Sequence, residues 1–98
     1  MKTFKDIQFS QSMGGNLKSI TRFDNGFELS VIAGEFAYST PRENSTDPDF
    51  FSAFEVAVYD HDGYFTREFF PEDHDDDVLG WQERGQINAL MLLIQSKK

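Results

Sequence analysis

Two clusters of acidic and histidine residues hold the side chains best suited to chemistry in this chain of 98 residues. They are Asp60-His61-Asp62-Gly63 and Glu72-Asp73-His74-Asp75-Asp76-Asp77. Carboxylates and imidazoles bind divalent cations, so both clusters raise the hypothesis of a metal site. Counted from Asp60 as an EF-hand calcium loop, however, the required Gly falls at the fourth position instead of the sixth, and Pro71 replaces the Glu of the twelfth. Asp followed by Gly is typical of a hairpin turn, so we expect neither a metal nor another cofactor.

The sequence contains no recognisable catalytic constellation. Cysteine is absent, which excludes thiol nucleophiles, zinc–thiolate sites and disulfide bonds. Gly14-Gly15 is not followed by the Gly-Lys-Ser/Thr of a phosphate-binding loop. A carboxylic acid that acts as a general acid needs surroundings that raise its pKa. Nothing in the sequence distinguishes one carboxylate from its acidic neighbours in this way. We therefore predict that the protein is not an enzyme.

The charge is distributed very unevenly along the chain. Residues 43–77 contain twelve acidic residues and one basic residue, Arg67, whereas the other 63 residues contain five acidic and eight basic ones. Like charges at this density create a strong local potential and disfavour the compact state, so we interpret the segment as a working surface. A net charge of −8 argues against binding to nucleic acid or to an anionic membrane. It favours a basic protein surface as the partner.

Carboxylates fixed on one face compete with the phosphates of nucleic acid for a basic groove. Duplex DNA presents one negative charge per roughly 1.7 Å of its axis. We predict that acidic residues orient the partner while aromatic residues act as desolvated anchors. The predicted partner-binding residues are Glu55, Asp60, Asp62, Glu68, Glu72, Asp73, Asp75, Asp76 and Asp77, with Tyr64 and Phe69. This hypothesis requires Glu55 and Glu68 to project to the same side of a strand pair.

Hydrophobic periodicity predicts a single α+β domain. Alternating apolar residues predict strands over residues 17–23, 27–33, 51–59 and 64–70. Asn25-Gly26 predicts a two-residue type I′ hairpin between the first two strands.

A C-terminal helix is predicted within residues 82–95. Ile87, Leu90, Met91 and Ile94 fall at i, i+3, i+4 and i+7, which places them on one stripe. We expect an antiparallel sheet of about four strands to bury one face beneath this helix.

A cytoplasmic location is expected from three features of the sequence. The longest apolar run, residues 89–94, is far shorter than the roughly 20 residues that cross a bilayer. The first nine residues lack the apolar core of a signal peptide. The absence of cysteine fits a reducing compartment.

Three segments of the chain resemble small accessory proteins of tailed bacteriophages. These segments are Phe23-Asp24-Asn25-Gly26-Phe27-Glu28-Leu29-Ser30-Val31-Ile32, Phe54-Glu55-Val56-Ala57-Val58 and Asp76-Asp77-Val78-Leu79-Gly80-Trp81. The family is largely uncharacterised, so the resemblance implies a setting rather than an activity. The chain departs from the family pattern in residues 40–50 and 64–75, which fall within or beside its acidic segment.

The leading hypothesis is a non-enzymatic phage-type protein that blocks a basic, nucleic-acid-handling host protein, as a DNA mimic or an anti-CRISPR protein would. One alternative is a structural or assembly protein that forms a homodimer or larger homo-oligomer. Another is a module that binds Ca²⁺ or Mg²⁺ through Asp60, Asp62 and the acids of residues 72–77.

Overall fold

The computed structural model describes the whole chain, from Met1 to Lys98, as an antiparallel sheet with one helix packed on it. The elements are β1 (Ser10–Gln11), β2 (Leu17–Arg22), β3 (Glu28–Ala33), β4 (Phe54–Tyr59), β5 (Val78–Gln82) and helix α1 (Arg84–Gln95). The strands lie side by side in chain order, and every neighbouring pair is antiparallel. The predicted α+β class with a C-terminal helix is confirmed, although the sheet has five strands instead of about four. No helix combines the length and the apolar character needed to span a bilayer.

The core lies between α1 and one face of the sheet, which we call the inner face. The predicted helical stripe is confirmed, because Ile87, Leu90, Met91 and Ile94 are all buried. Strand alternation turns every second side chain of β2, β3 and β4 towards this stripe. The buried core residues of these strands are Leu17, Leu29, Val31, Ala33, Phe54, Val56 and Val58.

The opposite face of the sheet, the outer face, holds the remaining side chains of these strands. Lys18, Ile20 and Arg22 of β2 are exposed there. The intervening positions of β3 are half-buried. The sheet therefore has one face covered by the helix and one face that is open along β2.

The turn between β2 and β3 is not the predicted two-residue type I′ turn. Phe23 N donates to Phe27 O at 2.9 Å, and Gly26 N donates to Phe23 O at 2.9 Å, which closes a three-residue loop. Gly26 has a φ of 92°, whereas Asn25 has no positive φ. This pattern is a type I turn followed by a left-handed glycine. The Asn25 side chain instead donates to two carbonyl oxygens at the C-terminal end of α1, at 2.8 and 3.0 Å.

The predicted fourth strand, residues 64–70, is wrong. Only Phe65 forms a bridge with β4, opposite Tyr59. Phe69 and Phe70 both pack on the core, and a regular strand cannot turn two consecutive side chains to the same side. The edge of β4 beyond this bridge is instead occupied by β5.

Candidate functional site

The segment that joins β4 to β5 gathers most of the predicted partner-binding residues. We call residues 60–77 the acidic connection, since it contains eight acidic residues and one basic residue, Arg67. Ten of the eleven predicted residues lie in it, and the exception is Glu55.

The connection begins with a hydrogen-bonded turn. Asp60 N donates to Tyr64 O at 2.8 Å, and Gly63 N donates to Asp60 O at 3.0 Å. The Asp60 carboxylate accepts from the backbone N–H groups of Asp62 and Tyr64 through the same oxygen, at 2.9 and 3.0 Å. The structure thus places Asp60 in the expected structural turn, where its side chain supports the loop.

Aromatic side chains attach the middle of the acidic connection to the sheet. Phe65 stacks on Tyr59 with ring centroids 4.7 Å apart. Phe69 packs edge-on against Phe27 at 5.1 Å, and Phe70 is buried in the core. Phe69 is therefore an internal anchor of the connection, whereas the other predicted aromatic contact, Tyr64, is 72% exposed.

The second half of the connection is fixed by contacts around His74. His74 Nε2 lies 2.7 Å from Val78 O, and its ring meets the edge of Phe70 at 5.6 Å. Arg67 Nε lies 3.3 Å from Asp77 Oδ1, and this ion pair links the middle of the acidic connection to its last residue. The acids therefore belong to an ordered segment with internal supports.

Basic side chains neutralise only some of these acids. Glu68 pairs with Lys97 at 2.9 Å, and Asp77 pairs with Arg67. Asp62 approaches only His61, at 3.6 Å. Four exposed carboxylates form no ion pair within 4.0 Å, and they belong to Glu72, Asp73, Asp75 and Asp76.

Glu55 is separate from the acidic connection. It lies on the outer face near the start of β4, whereas the connection leaves the other end of that strand. Its side chain is buried, and Oε1 accepts from Tyr38 N at 3.1 Å. Glu68 lies near the C-terminal end of α1, where it pairs with Lys97. Glu55 and Glu68 therefore do not share the surface that the sequence hypothesis required.

The acids do not form a metal centre. No three Asp, Glu or His side chains come close enough together to hold a metal ion. The hypothesis of a Ca²⁺ or Mg²⁺ module therefore has no geometric support.

Two clefts lie near the C-terminal end of α1, and most of the residues that line them are polar or charged. One, of about 410 Å³, includes Asp60, Glu68, Lys97 and Lys98 in its lining. The larger, of about 610 Å³, lies between the N-terminus and the turn that joins β2 to β3. Neither lining contains a nucleophile paired with a base, so the clefts give no reason to assign a reaction.

An exposed aromatic pair beside Glu55 was not predicted from the sequence. Tyr38 stacks on Trp81 with centroids 5.2 Å apart, and Arg42 Cζ lies 5.5 Å from the centre of the Tyr38 ring. Tyr38 and Trp81 are far apart in the chain and meet because Trp81 N donates to Tyr38 O at 2.9 Å. No local sequence signal connects these two residues.

The chain matches no protein-family model, and no curated protein or solved structure gives a match to it.

Proposed function

We propose that the protein is a non-enzymatic inhibitor that binds the basic groove of a nucleic-acid-handling protein through the acidic connection. The observation that carries this proposal is the group of four exposed, unpaired carboxylates at Glu72, Asp73, Asp75 and Asp76 on a segment held by packed aromatic rings. Lysine and arginine side chains that bind phosphates also bind carboxylates, by charge-assisted hydrogen bonds.

The order of the connection favours binding. A partner that meets an ordered loop loses less conformational entropy than one that must order a flexible tail. Phe70, which is buried, and Phe69, which packs on Phe27, reduce this entropic cost before the partner arrives.

The electrostatics favour a basic partner. Two of the eight acids form ion pairs with Lys or Arg, so most of the negative charge remains available for a partner. Such a surface accelerates encounter with a positive groove and repels nucleic acid and anionic lipid.

The biological setting in this proposal rests on the resemblance to phage accessory proteins. In that setting the protein acts in the host cytoplasm, and its target is a host nuclease, a restriction enzyme or a CRISPR complex. Proteins of these classes expose basic grooves because they bind phosphate backbones.

The test is affinity capture from host lysate with a charge-reversed variant. Glu72→Lys/Asp73→Lys/Asp75→Lys changes three exposed residues that make no side-chain hydrogen bond or ion pair, so the fold is expected to remain intact. Like charges placed against a basic groove cost several kcal/mol, so recovery of the partner should fall at least about tenfold. Added duplex DNA should release the partner captured by the wild-type protein.

A matched control changes the net charge by the same amount elsewhere. Asp24→Lys/Glu35→Lys/Glu43→Lys alters three exposed acids that also make no side-chain hydrogen bond or ion pair and lie outside the acidic connection. This control should retain the partner. Equal losses in both triple variants would rule out the acidic connection as the specific contact. Capture of a partner that duplex DNA does not displace would rule out a nucleic-acid-binding groove.

A further inference from the structure

Asn25, in the turn between β2 and β3, binds the C-terminal end of α1 through its amide nitrogen. Nδ2 donates to Ile94 O at 2.8 Å and to Lys97 O at 3.0 Å. The last carbonyl oxygens of a helix have no partner within the helix, so Asn25 caps α1 from a distant part of the chain. No other hydrogen bond joins residues 24–26 to residues 84–98. We call residues 94–98 the α1 end.

The residue after Asn25 has to be glycine. Gly26 has a φ of 92°, in the left-handed region that side chains disfavour. A β-carbon at this position would lie only 2.9 Å from His61 Cβ. The fold therefore requires glycine at position 26 for its conformation and its space, and it uses the amide at position 25 as a cap. Together these two requirements place an Asn-Gly sequence in the turn.

An asparagine that precedes glycine is chemically labile. The backbone nitrogen of the glycine gives its proton to water or hydroxide and attacks the asparagine Cγ. The new N–Cγ bond closes a succinimide ring, the Cγ–Nδ2 bond breaks, and the leaving nitrogen takes up a proton to depart as ammonia. Glycine favours this step because it has no side chain to hinder the attack. Water then opens the ring at either carbonyl and leaves aspartate or isoaspartate in place of the asparagine.

We propose that Asn25 is a deamidation site that the docked α1 end protects. Ring closure removes Nδ2 from the side chain and the hydrogen from Gly26 N. The folded protein must therefore give up three hydrogen bonds, namely the two from Nδ2 and the one that Gly26 N donates to Phe23 O at 2.9 Å. The reaction thus proceeds through molecules in which the α1 end has opened, and such local opening does not require global unfolding.

The surroundings of Asn25 allow both the opening and the access of water. Asn25 is half-buried and contributes to the lining of both clefts near the α1 end. The ion pair between Lys97 and Glu68 also holds the α1 end, but both of its side chains are partly exposed, and exposed ion pairs contribute little stability. The protection of Asn25 therefore depends on a part of the fold that is weakly held.

Deamidation weakens the contact that prevented it. The two N–H donors of Asn25 are replaced by a carboxylate, which faces two carbonyl oxygens that can only accept. This carboxylate also lies at the negative end of the helix dipole. Refolding does not reverse the reaction, so each opened molecule that reacts keeps a loosened α1 end. This inference concerns the chain itself and does not depend on the proposed function.

Mass spectrometric peptide mapping in mildly alkaline buffer measures the reaction, because it locates the conversion of each amide to an acid. In guanidinium chloride Asn25 should react faster than the other asparagines, which do not precede glycine and are Asn16, Asn44 and Asn88. In the folded protein the rate at Asn25 should be at least about tenfold lower, since three hydrogen bonds oppose ring closure. Equal rates at Asn25 in the folded and unfolded chain would overturn the proposal. A reaction no faster than at the other asparagines in the unfolded chain would overturn it too.

Lys97→Glu tests the protection without altering Asn25 or Gly26. It places a like charge against Glu68 and should raise the rate at Asn25 in the folded protein at least about threefold. Lys98→Glu is the matched control, because it makes the same charge change at the next residue, which forms no ion pair within 4.0 Å. Its rate should stay close to that of the wild-type protein. Equal rates in the two variants would show that the α1 end does not protect the site.

Asn25→Asp reproduces one product and tests the effect on the fold. It should lower the midpoint of thermal unfolding by at least about 4 °C, since two carbonyl oxygens lose their donors. Asn44→Asp adds the same charge as a control, and it keeps the oxygen through which Asn44 accepts from Glu35 N at 3.0 Å. Its midpoint should stay near that of the wild-type protein. Equal midpoints in the two variants would contradict the role of the Asn25 amide as the cap of α1.

Discussion

At the scale of single residues, Glu55 shows that an acidic side chain in an acidic chain is not always available to a partner. Its carboxylate is buried on the outer face and accepts from Tyr38 N at 3.1 Å. Tyr38 O in turn accepts from Trp81 N. Glu55 therefore connects the segment after β3 to β4, and Tyr38 connects the same segment to β5.

Replacing Glu55 should separate its structural role from its charge. Glu55→Gln keeps an oxygen that accepts from Tyr38 N, whereas Glu55→Ala leaves that N–H without its partner. We expect Glu55→Ala to lower the free energy of unfolding by about 1–3 kcal/mol and Glu55→Gln to lower it by less than about 1 kcal/mol. Urea denaturation measures both values. Equal losses in the two variants would mean that the charge, and not the hydrogen bond, stabilises the fold.

At the scale of elements, the acidic connection owes its order to aromatic residues and not to regular secondary structure. Phe70 is buried in the core, while Phe65 lies on the outer face against Tyr59 and is 46% exposed. The two rings are part of the same connection but differ in how much apolar surface they bury.

Truncating these two rings should have unequal effects. Phe70→Ala removes a buried ring and leaves a cavity, so we expect the free energy of unfolding to fall by about 3–5 kcal/mol. Phe65→Ala removes a half-exposed ring and should cost about 1 kcal/mol, in the range of an aromatic pair. Chemical denaturation of both variants gives the comparison. A Phe65→Ala loss as large as that of Phe70→Ala would contradict this account of how the connection is held.

The elements also show where a sequence is informative and where it is not. α1 is predictable, since its apolar stripe repeats with the helical period over the length of the helix. β5 is not predictable, because the apolar residues of Val78-Leu79-Gly80-Trp81 do not alternate with polar ones. Its pairing with β4 is also irregular: between the pairs Phe54–Gln82 and Val56–Leu79, β5 has one residue more than β4. Trp81, with a φ of 53°, takes up this irregularity. Residues 64–70 have strand-like composition, but the need to bury Phe69 and Phe70 together prevents a strand.

The candidate site also has one part that is predictable from the sequence and one part that is not. The acids of residues 60–77 come together because they are contiguous, so their grouping is predictable from the sequence. The separation of Glu55 depends on the backbone N–H of Tyr38, which comes from a different segment of the chain. Contacts between distant segments leave no local pattern, and this is why the Tyr38–Trp81 pair was missed.

At the scale of the whole molecule, negative charge is concentrated at one place in a structure whose radius of gyration is 12.7 Å. Residues 72–77 hold five acids, and of these only Asp77 has a basic partner. Repulsion among carboxylates in so short a segment opposes folding, and salt screens it. If this surface binds a basic partner, the same carboxylates that favour binding also lower the stability of the fold.

Neutralising the acids should therefore stabilise the protein. Glu72→Gln/Asp73→Asn/Asp75→Asn removes repulsion without breaking an ion pair, and should raise the midpoint of thermal unfolding by a few degrees at low salt. The gain should disappear near 1 M NaCl, where the Debye length is about 3 Å. The control Asp24→Asn/Glu35→Gln/Glu43→Gln removes the same charge from outside the acidic connection and should give a smaller gain. Calorimetry at both salt concentrations decides the matter: equal gains in the two variants would show that net charge, and not the local crowding of carboxylates, opposes folding.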